Sequence, residues 1–96
     1  MPQGYHSFTK PTVFRLDAPK AHHVSLVIRS AKDDDPPATH IMHKGMDGVW
    51  TIRLELKRGR HLYRFLVDHV PTLDPASRGT VHDDHHGPCS MREVGH

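Results

Sequence analysis

The stretch Val49-Trp50-Thr51-Ile52-Arg53-Leu54-Glu55-Leu56 decides the fold class. Its even positions are Trp50, Ile52, Leu54 and Leu56, and its odd positions after Val49 are Thr51, Arg53 and Glu55. Successive side chains of a strand point to opposite faces, so this period of two describes a strand with one buried and one solvated face. Residues 23–30 repeat the pattern, with Val24, Leu26 and Ile28 on one face and Ser25, Val27 and Arg29 on the other. Residues 61–68 form a third such run. There Tyr63, Phe65 and Val67 make a wholly apolar set, while Arg64 shares its face with Leu62 and Leu66. Shorter strands are expected at residues 12–16, 39–43, 72–73 and 90–94.

Turn signals separate these runs. Ala18-Pro19-Lys20 follows the first, and Lys44-Gly45-Met46-Asp47-Gly48 precedes the Trp50 strand. Lys57-Arg58-Gly59-Arg60 links that strand to the next through a short loop, which predicts an antiparallel hairpin. Asp74-Pro75 and Gly87-Pro88 interrupt the last third. No stretch keeps helical spacing long enough to compete. Six or seven short strands with polar outer faces predict an all-β fold, an immunoglobulin-like antiparallel β-sandwich. Residues 1–11 read as a loose arm carrying Tyr5 and Phe8, and residues 12–96 as the sandwich. Two segments read as irregular loops: the acidic run ending in Pro36-Pro37, and the polar run from Thr80 to Pro88.

Composition narrows the function classes. With 96 residues the chain has room for one domain, and 35% hydrophobic residues give it a modest core. Lys plus Arg total 13 against 11 Asp plus Glu, a net +2, too balanced for a nucleic-acid binder. No apolar run approaches a membrane span, and the first ten residues lack the apolar core of a secretory signal. Cys89 stands alone, which excludes an internal disulfide framework and fits a cytoplasmic setting. The lack of a cysteine pair distinguishes the chain from an antibody domain.

The run from Thr12 to Val94 resembles the family-48 carbohydrate-binding module. That family includes the glycogen-binding domain of the AMP-activated protein kinase beta subunit and the N-terminal domains of isoamylases and branching enzymes of glycoside hydrolase family 13. The matching residues begin with Val13-Phe14-Arg15-Leu16, Ala18-Pro19-Lys20-Ala21 and Val24-Ser25-Leu26. Asp47-Gly48-Val49-Trp50, Leu54-Glu55-Leu56 and Gly59 follow, then Tyr63-Arg64-Phe65-Leu66-Val67-Asp68 and Leu73-Asp74-Pro75. The family fold is an immunoglobulin-like sandwich, in agreement with the period of two.

The resemblance implies a sugar-binding face at Arg64, Pro71, His85 and Cys89. Arg64 keeps the family's basic residue. Pro71 stands where the family usually has the Trp of Asp-Gly-x-Trp, in the stretch Asp68-His69-Val70-Pro71. His85 falls near a late-loop Leu, and Cys89 near an Asn that bonds sugar. The family's Gly-x-Phe-Asn-x-Trp place is occupied by residues 29–35, without an aromatic. These departures matter physically. Sugar hydroxyls are already satisfied by water, so much of a glucan's affinity comes from laying its apolar face on an exposed aromatic ring. Trp50, Tyr63 and Phe65 follow the buried period, and Tyr5 and Phe8 of the arm are expected to be free rings.

The other chemistry-bearing clusters point mainly to solvated loops. The chain holds 11 histidines, several-fold above ordinary usage, and histidine is the side chain whose unperturbed charge change falls near pH 6.5. In His82-Asp83-Asp84-His85-His86, His82, His85 and His86 are candidate zinc, nickel or copper ligands, but without a fixed ligand spacing. Asp33-Asp34-Asp35 lacks the alternating ligands and glycine of a calcium loop. Cys89 has no CxxC partner or basic cluster to make it a nucleophile. No nucleophile elbow, P-loop or HExxH occurs, so no enzyme and no cofactor are expected. The sequence reads as a non-catalytic α-glucan accessory module of weak or lost sugar affinity. The alternative is a protein-interaction module using the Leu62, Arg64 and Leu66 face. Expected partners are an α-glucan or a glucan-metabolising enzyme or kinase, with no nucleic acid or membrane, and a monomer or weak dimer.

Overall fold

A computed structural model describes residues 9–32, 36–77, 79–83 and 87–95, and of Asp83 the backbone alone. The strands are β1 (Thr9–Asp17), β2 (Val24–Ser30), β3 (Ala38–Ile41), β4 (His43–Lys44), β5 (Val49–Lys57), β6 (Gly59–Val67), β7 (Val70–Thr72), β8 (Thr80–Asp83) and β9 (Gly87–Val94). One sheet has the order β1-β5-β4, and the other the order β3-β2-β6-β9-β8, with β7 paired to β6. Every pairing is antiparallel. The described residues contain no helix, so none is long and apolar enough to cross a membrane. The fold is the expected all-β sandwich.

The alternation read from the sequence sets the layers. Phe14 and Leu16 of β1 and Trp50 of β5 face Val24, Leu26 and Ile28 of β2 and Tyr63 and Phe65 of β6, all buried in one cluster. Each such side chain contributes roughly 1.5–3 kcal/mol by leaving water. Trp50 is 6% exposed, and its Nε1–H donates to the Ala18 carbonyl at 2.9 Å. The indole therefore buries its ring without orphaning its donor. The three central rings meet edge to face, Phe14 against Tyr63 at 4.9 Å and Tyr63 against Phe65 at 5.9 Å. Arg92 crosses from β9 to β1, where it donates to the Val13 carbonyl at 2.7 Å and lies 4.9 Å from the Phe14 ring centre. β1 is an edge strand, and Pro11, which has no N–H to offer, is tolerated there.

Several local expectations are corrected. The link at Lys57-Arg58-Gly59 is no hairpin: β5 belongs to the smaller sheet and β6 to the larger, so the chain arches over the core. Gly59, at φ 124°, makes that sharp crossing, and His61 Nε2 lies 2.8 Å from the Lys57 carbonyl. Because a carbonyl can only accept, Nε2 is the nitrogen that carries the proton. The run 39–43 is two strands, because Met42 plunges into the core at 2% exposure and the chain changes sheet there. Residues 80–83, expected to be irregular, pair with β9 as β8. The short strand expected at 72–73 is Val70–Thr72. Residues 9–11 of the expected arm are the start of β1, paired with Lys57, Leu56 and Glu55. Tyr5, Phe8 and the acidic run 33–35 lie outside the described residues.

Candidate functional site

Strand β6 carries the site because its two faces serve different purposes. Tyr63 and Phe65 enter the core, and Leu62, Arg64 and Leu66 point to the outer face of the larger sheet. Three cross-strand rows run over that face. Leu66 lies between Ser25 and Pro71, with Ile41 beyond Ser25. Arg64 stands opposite Val27. Leu62 lies between Arg29 and Met91. Arg64 is half-buried in the middle of this largely apolar surface. Its stem can cover neighbouring carbon, and its guanidinium Nε is itself buried.

Arg64 borders two concavities. One, of about 380 Å³, is a groove lined by Arg64, Pro71, Thr72, Leu73 and Pro88. The other, of about 20 Å³, lies against Val27, Leu62, Arg64 and Cys89 and holds about one water. Of these two, the groove has the size of a ligand site. A larger depression of about 770 Å³ lies on the opposite sheet beside Arg15, Met46 and Thr51, and none of the site residues expected from the sequence lines it.

The structure thus brings Arg64 and Pro71 together on one groove wall. Cys89 is adjacent but buried at 5% exposure, and its thiol lies 3.5 Å from the Gly87 carbonyl. His85 lies outside the described residues. The outer patch is smaller than expected, since Leu62 is only 9% exposed. Of the candidate metal ligands, His82 is exposed on β8 and His86 lies outside the described residues. Among the described residues no three His, Cys, Asp or Glu side chains gather as metal ligands.

Sequence reasoning missed Thr72, Leu73 and Pro88 in the groove wall, because they come together only when β7 folds back onto β6. The turn that does this is Asp68-His69, with φ of 48° and 71°. Asp68 Oδ1 accepts the backbone N–H of His22 and of His23, each at 2.8 Å. Those bonds, from His23 and then His22, hold the exposed Asp68 carboxyl below the usual aspartate range. His22 Nδ1 is 3.9 Å from Asp68 Oδ2, and the His23 and His69 rings are 6.3 Å apart.

A second network ties β6 to the segment that follows β7. Tyr63 donates its hydroxyl to Asp74 Oδ2 at 2.6 Å. Asp74 Oδ1 accepts from Ala76 N, and Asp74 N donates to Ser90 Oγ, both at 2.9 Å. Burial, reinforced by the Asp74 bond and charge, pushes the Tyr63 phenol up. This arrangement explains the Tyr63 and Asp74-Pro75 signature as a clamp between β6 and the segment leading to β8.

Comparisons with known proteins agree with this architecture. The model of the family described as carbohydrate-binding module 48 (isoamylase N-terminal domain) matches residues 2–77. No curated protein matches the chain. Among solved structures, the catalytic module of the pneumococcal glycogen-degrading virulence factor SpuA is similar at 22% identity and TM-score 0.68, over 88% of this chain and 15% of that one. The pullulanase of Anoxybacillus sp. LM18-11 in complex with maltotetraose is similar at 21% identity and TM-score 0.67, over 91% of this chain and 13% of the enzyme. The pullulanase of Bacillus acidopullulyticus is similar at 20% identity and TM-score 0.62, over 98% of this chain and 12% of the enzyme. The chain therefore spans less than a sixth of each enzyme. With the family model covering most of the sequence and the sandwich shared with these enzymes, the chain belongs to carbohydrate-binding module family 48, the family of isoamylase N-terminal domains.

Proposed function

We propose that this chain is a non-catalytic accessory module of α-glucan metabolism that contacts glucan through the groove beside Arg64. The observation that carries the reading is the placement of Arg64, within the family match, on the wall of a 380 Å³ groove rather than in the core. The relatives in the structural comparison include a glycogen-degrading protein and a pullulanase holding maltotetraose, which supports α-glucan as the ligand class. Among the described residues the groove has a cation, a threonine hydroxyl and three apolar walls, but no aromatic ring. Hydrogen bonds to sugar return only about 0.5–1.5 kcal/mol each, and without stacking the affinity is weak, in the millimolar range of about 4 kcal/mol. Its setting is cytoplasmic, alongside a glucan-metabolising enzyme or a kinase.

Maltoheptaose titration followed by amide chemical shifts tests this reading. Shifts confined to Arg64, Thr72 and Leu73, and reduced in Arg64→Ala, are expected. No response at millimolar sugar sinks the glucan reading. A second reading is favoured by the row Ile41, Ser25, Leu66 and Pro71, apolar but for Ser25, in which Ile41 is 74% exposed. Exposed apolar rows of this kind mark protein interfaces. That reading predicts no sugar response and a partner lost on Leu66→Asp.

A further inference from the structure

We propose that Asp68 is a positioning residue for the groove: its carboxylate latches the strained Asp68-His69 turn to the start of β2 and so fixes where Pro71 and Thr72 stand. This rests on the reading of the groove as the ligand site.

Two independent observations carry it. Among the described residues, Asp68 and His69 are the non-glycine residues with positive φ, and they are consecutive. Each such conformation costs roughly 1–2 kcal/mol for a residue with a Cβ, so the turn persists only where something holds it. The holding groups are visible. Asp68 Oδ1 accepts both His22 N and His23 N, and Asp68 N donates to the His23 carbonyl, all at 2.8 Å. Three bonds therefore tie the end of β6 to the segment that enters β2.

The turn leads directly into the groove wall. Val70 pairs with Val67, Pro71 with Leu66 and Thr72 with Phe65, so the register of β7 on β6 is set immediately after His69. A β7 that slips or frays carries Pro71 and Thr72 away from Arg64, and the groove they share is lost. Asp68 itself does not line the groove, so its influence passes through the backbone.

The test compares wild type, Asp68→Asn and Asp68→Ala by amide spectra over pH and by maltoheptaose titration. Asn keeps an acceptor oxygen for the two N–H groups, and Ala removes it. In wild type the His22 and His23 amides move together with one carboxylate titration below the usual aspartate range. In Asp68→Ala the amides of Thr72 and Leu73 shift and maltoheptaose binds about tenfold more weakly, the equivalent of one hydrogen bond. Asp68→Asn restores both readouts to near wild type, which a general loss of stability does not do. Unmoved Thr72 and Leu73 amides in Asp68→Ala, or equal sugar affinity in all three proteins, overturn the proposal. If wild type itself ignores maltoheptaose, the glucan reading fails, and the Thr72 and Leu73 amides alone decide whether Asp68 positions the groove.

Discussion

Replacing Tyr63 by Phe removes one oxygen from the centre of the sandwich and leaves the ring. The packing against Phe14 and Phe65, at 4.9 and 5.9 Å, is retained, so almost no apolar burial is lost. What disappears is the 2.6 Å bond to Asp74 Oδ2. A hydrogen bond to a charged group contributes about 1.5–3 kcal/mol, and among the described residues the half-buried Asp74 carboxylate then keeps its bond from Ala76 on the other oxygen. A loss of about 2 kcal/mol follows, which for a domain of this size lowers Tm by roughly 8–16 °C. Urea unfolding monitored by Trp50 fluorescence measures it, with an unchanged m value. The pH dependence gives a second signature. Burial and Asp74 raise the Tyr63 pKa in the folded state, so the neutral phenol is favoured there. That contribution is complete below the unfolded tyrosine value of about 10 and declines as pH rises above it. Wild type should therefore weaken in alkali more steeply than Tyr63→Phe. A double-mutant cycle with Asp74→Ala should return a coupling of at least about 1 kcal/mol. A Tyr63→Phe protein within about 0.5 kcal/mol of wild type, or a coupling near zero, refutes the clamp.

Three further outcomes are expected. Gly48→Ala should cost at least about 1 kcal/mol, because Gly48 has φ 81° and a Cβ there would stand 2.8 Å from the Pro19 Cβ; thermal melts check it. Acid should loosen the His22-to-Asp68 corner before the core. The Asp68 pKa is lowered by folding, so its contribution is present above the unfolded value of about 3.9 and is lost as pH falls below that; hydrogen exchange at the His22 and His23 amides, flat between pH 4 and 3, would count against it. Pro71→Trp should supply the missing ring beside Arg64 and tighten maltoheptaose binding by about 1 kcal/mol, or about fivefold; calorimetry showing no gain would mean that the groove does not receive the sugar face.

The long strands were legible because each buries one face, and burial imposes the period of two on the sequence. Trp50, Leu26 and Phe65 could be placed inside without coordinates for that reason. The pairing partner was not legible. Lys57 and Gly59 have the same local chemistry in a two-strand hairpin and in an arch between sheets, and the difference lies in which strands β1 and β2 had already claimed. The same holds for 39–43, where an unbroken strand pattern hides a change of sheet at Met42. β8 escaped notice because Thr80-Val81-His82-Asp83 has little apolar content, and its order comes from pairing with β9. The groove was half legible: Arg64 announced itself as a cation in an apolar strand, but Thr72, Leu73 and Pro88 meet it only through the Asp68-His69 turn.

Strand β6 shows why this chain can keep its fold while its surface changes. Tyr63 and Phe65 answer to the core and to Asp74, and any change there costs stability directly. Arg64, one residue away from each, faces a groove whose walls come from β7 and β9, and a substitution there leaves the core contacts untouched. Period-two geometry thus uncouples the two faces of one strand. Trp50, Tyr63, Phe65 and Asp74, among the residues that carry the family resemblance, hold the sheets together. The residue that departs from the family's aromatic, Pro71, is exposed on β7, where a ring can be gained or lost without repacking. Stability and ligand preference can therefore be altered separately, and Tyr63→Phe and Pro71→Trp probe one each. A Tyr63→Phe protein that unfolds more easily yet keeps its maltoheptaose response would demonstrate the separation. Equal damage to both properties would mean that the clamp also shapes the groove, through Asp74 and its neighbour Leu73.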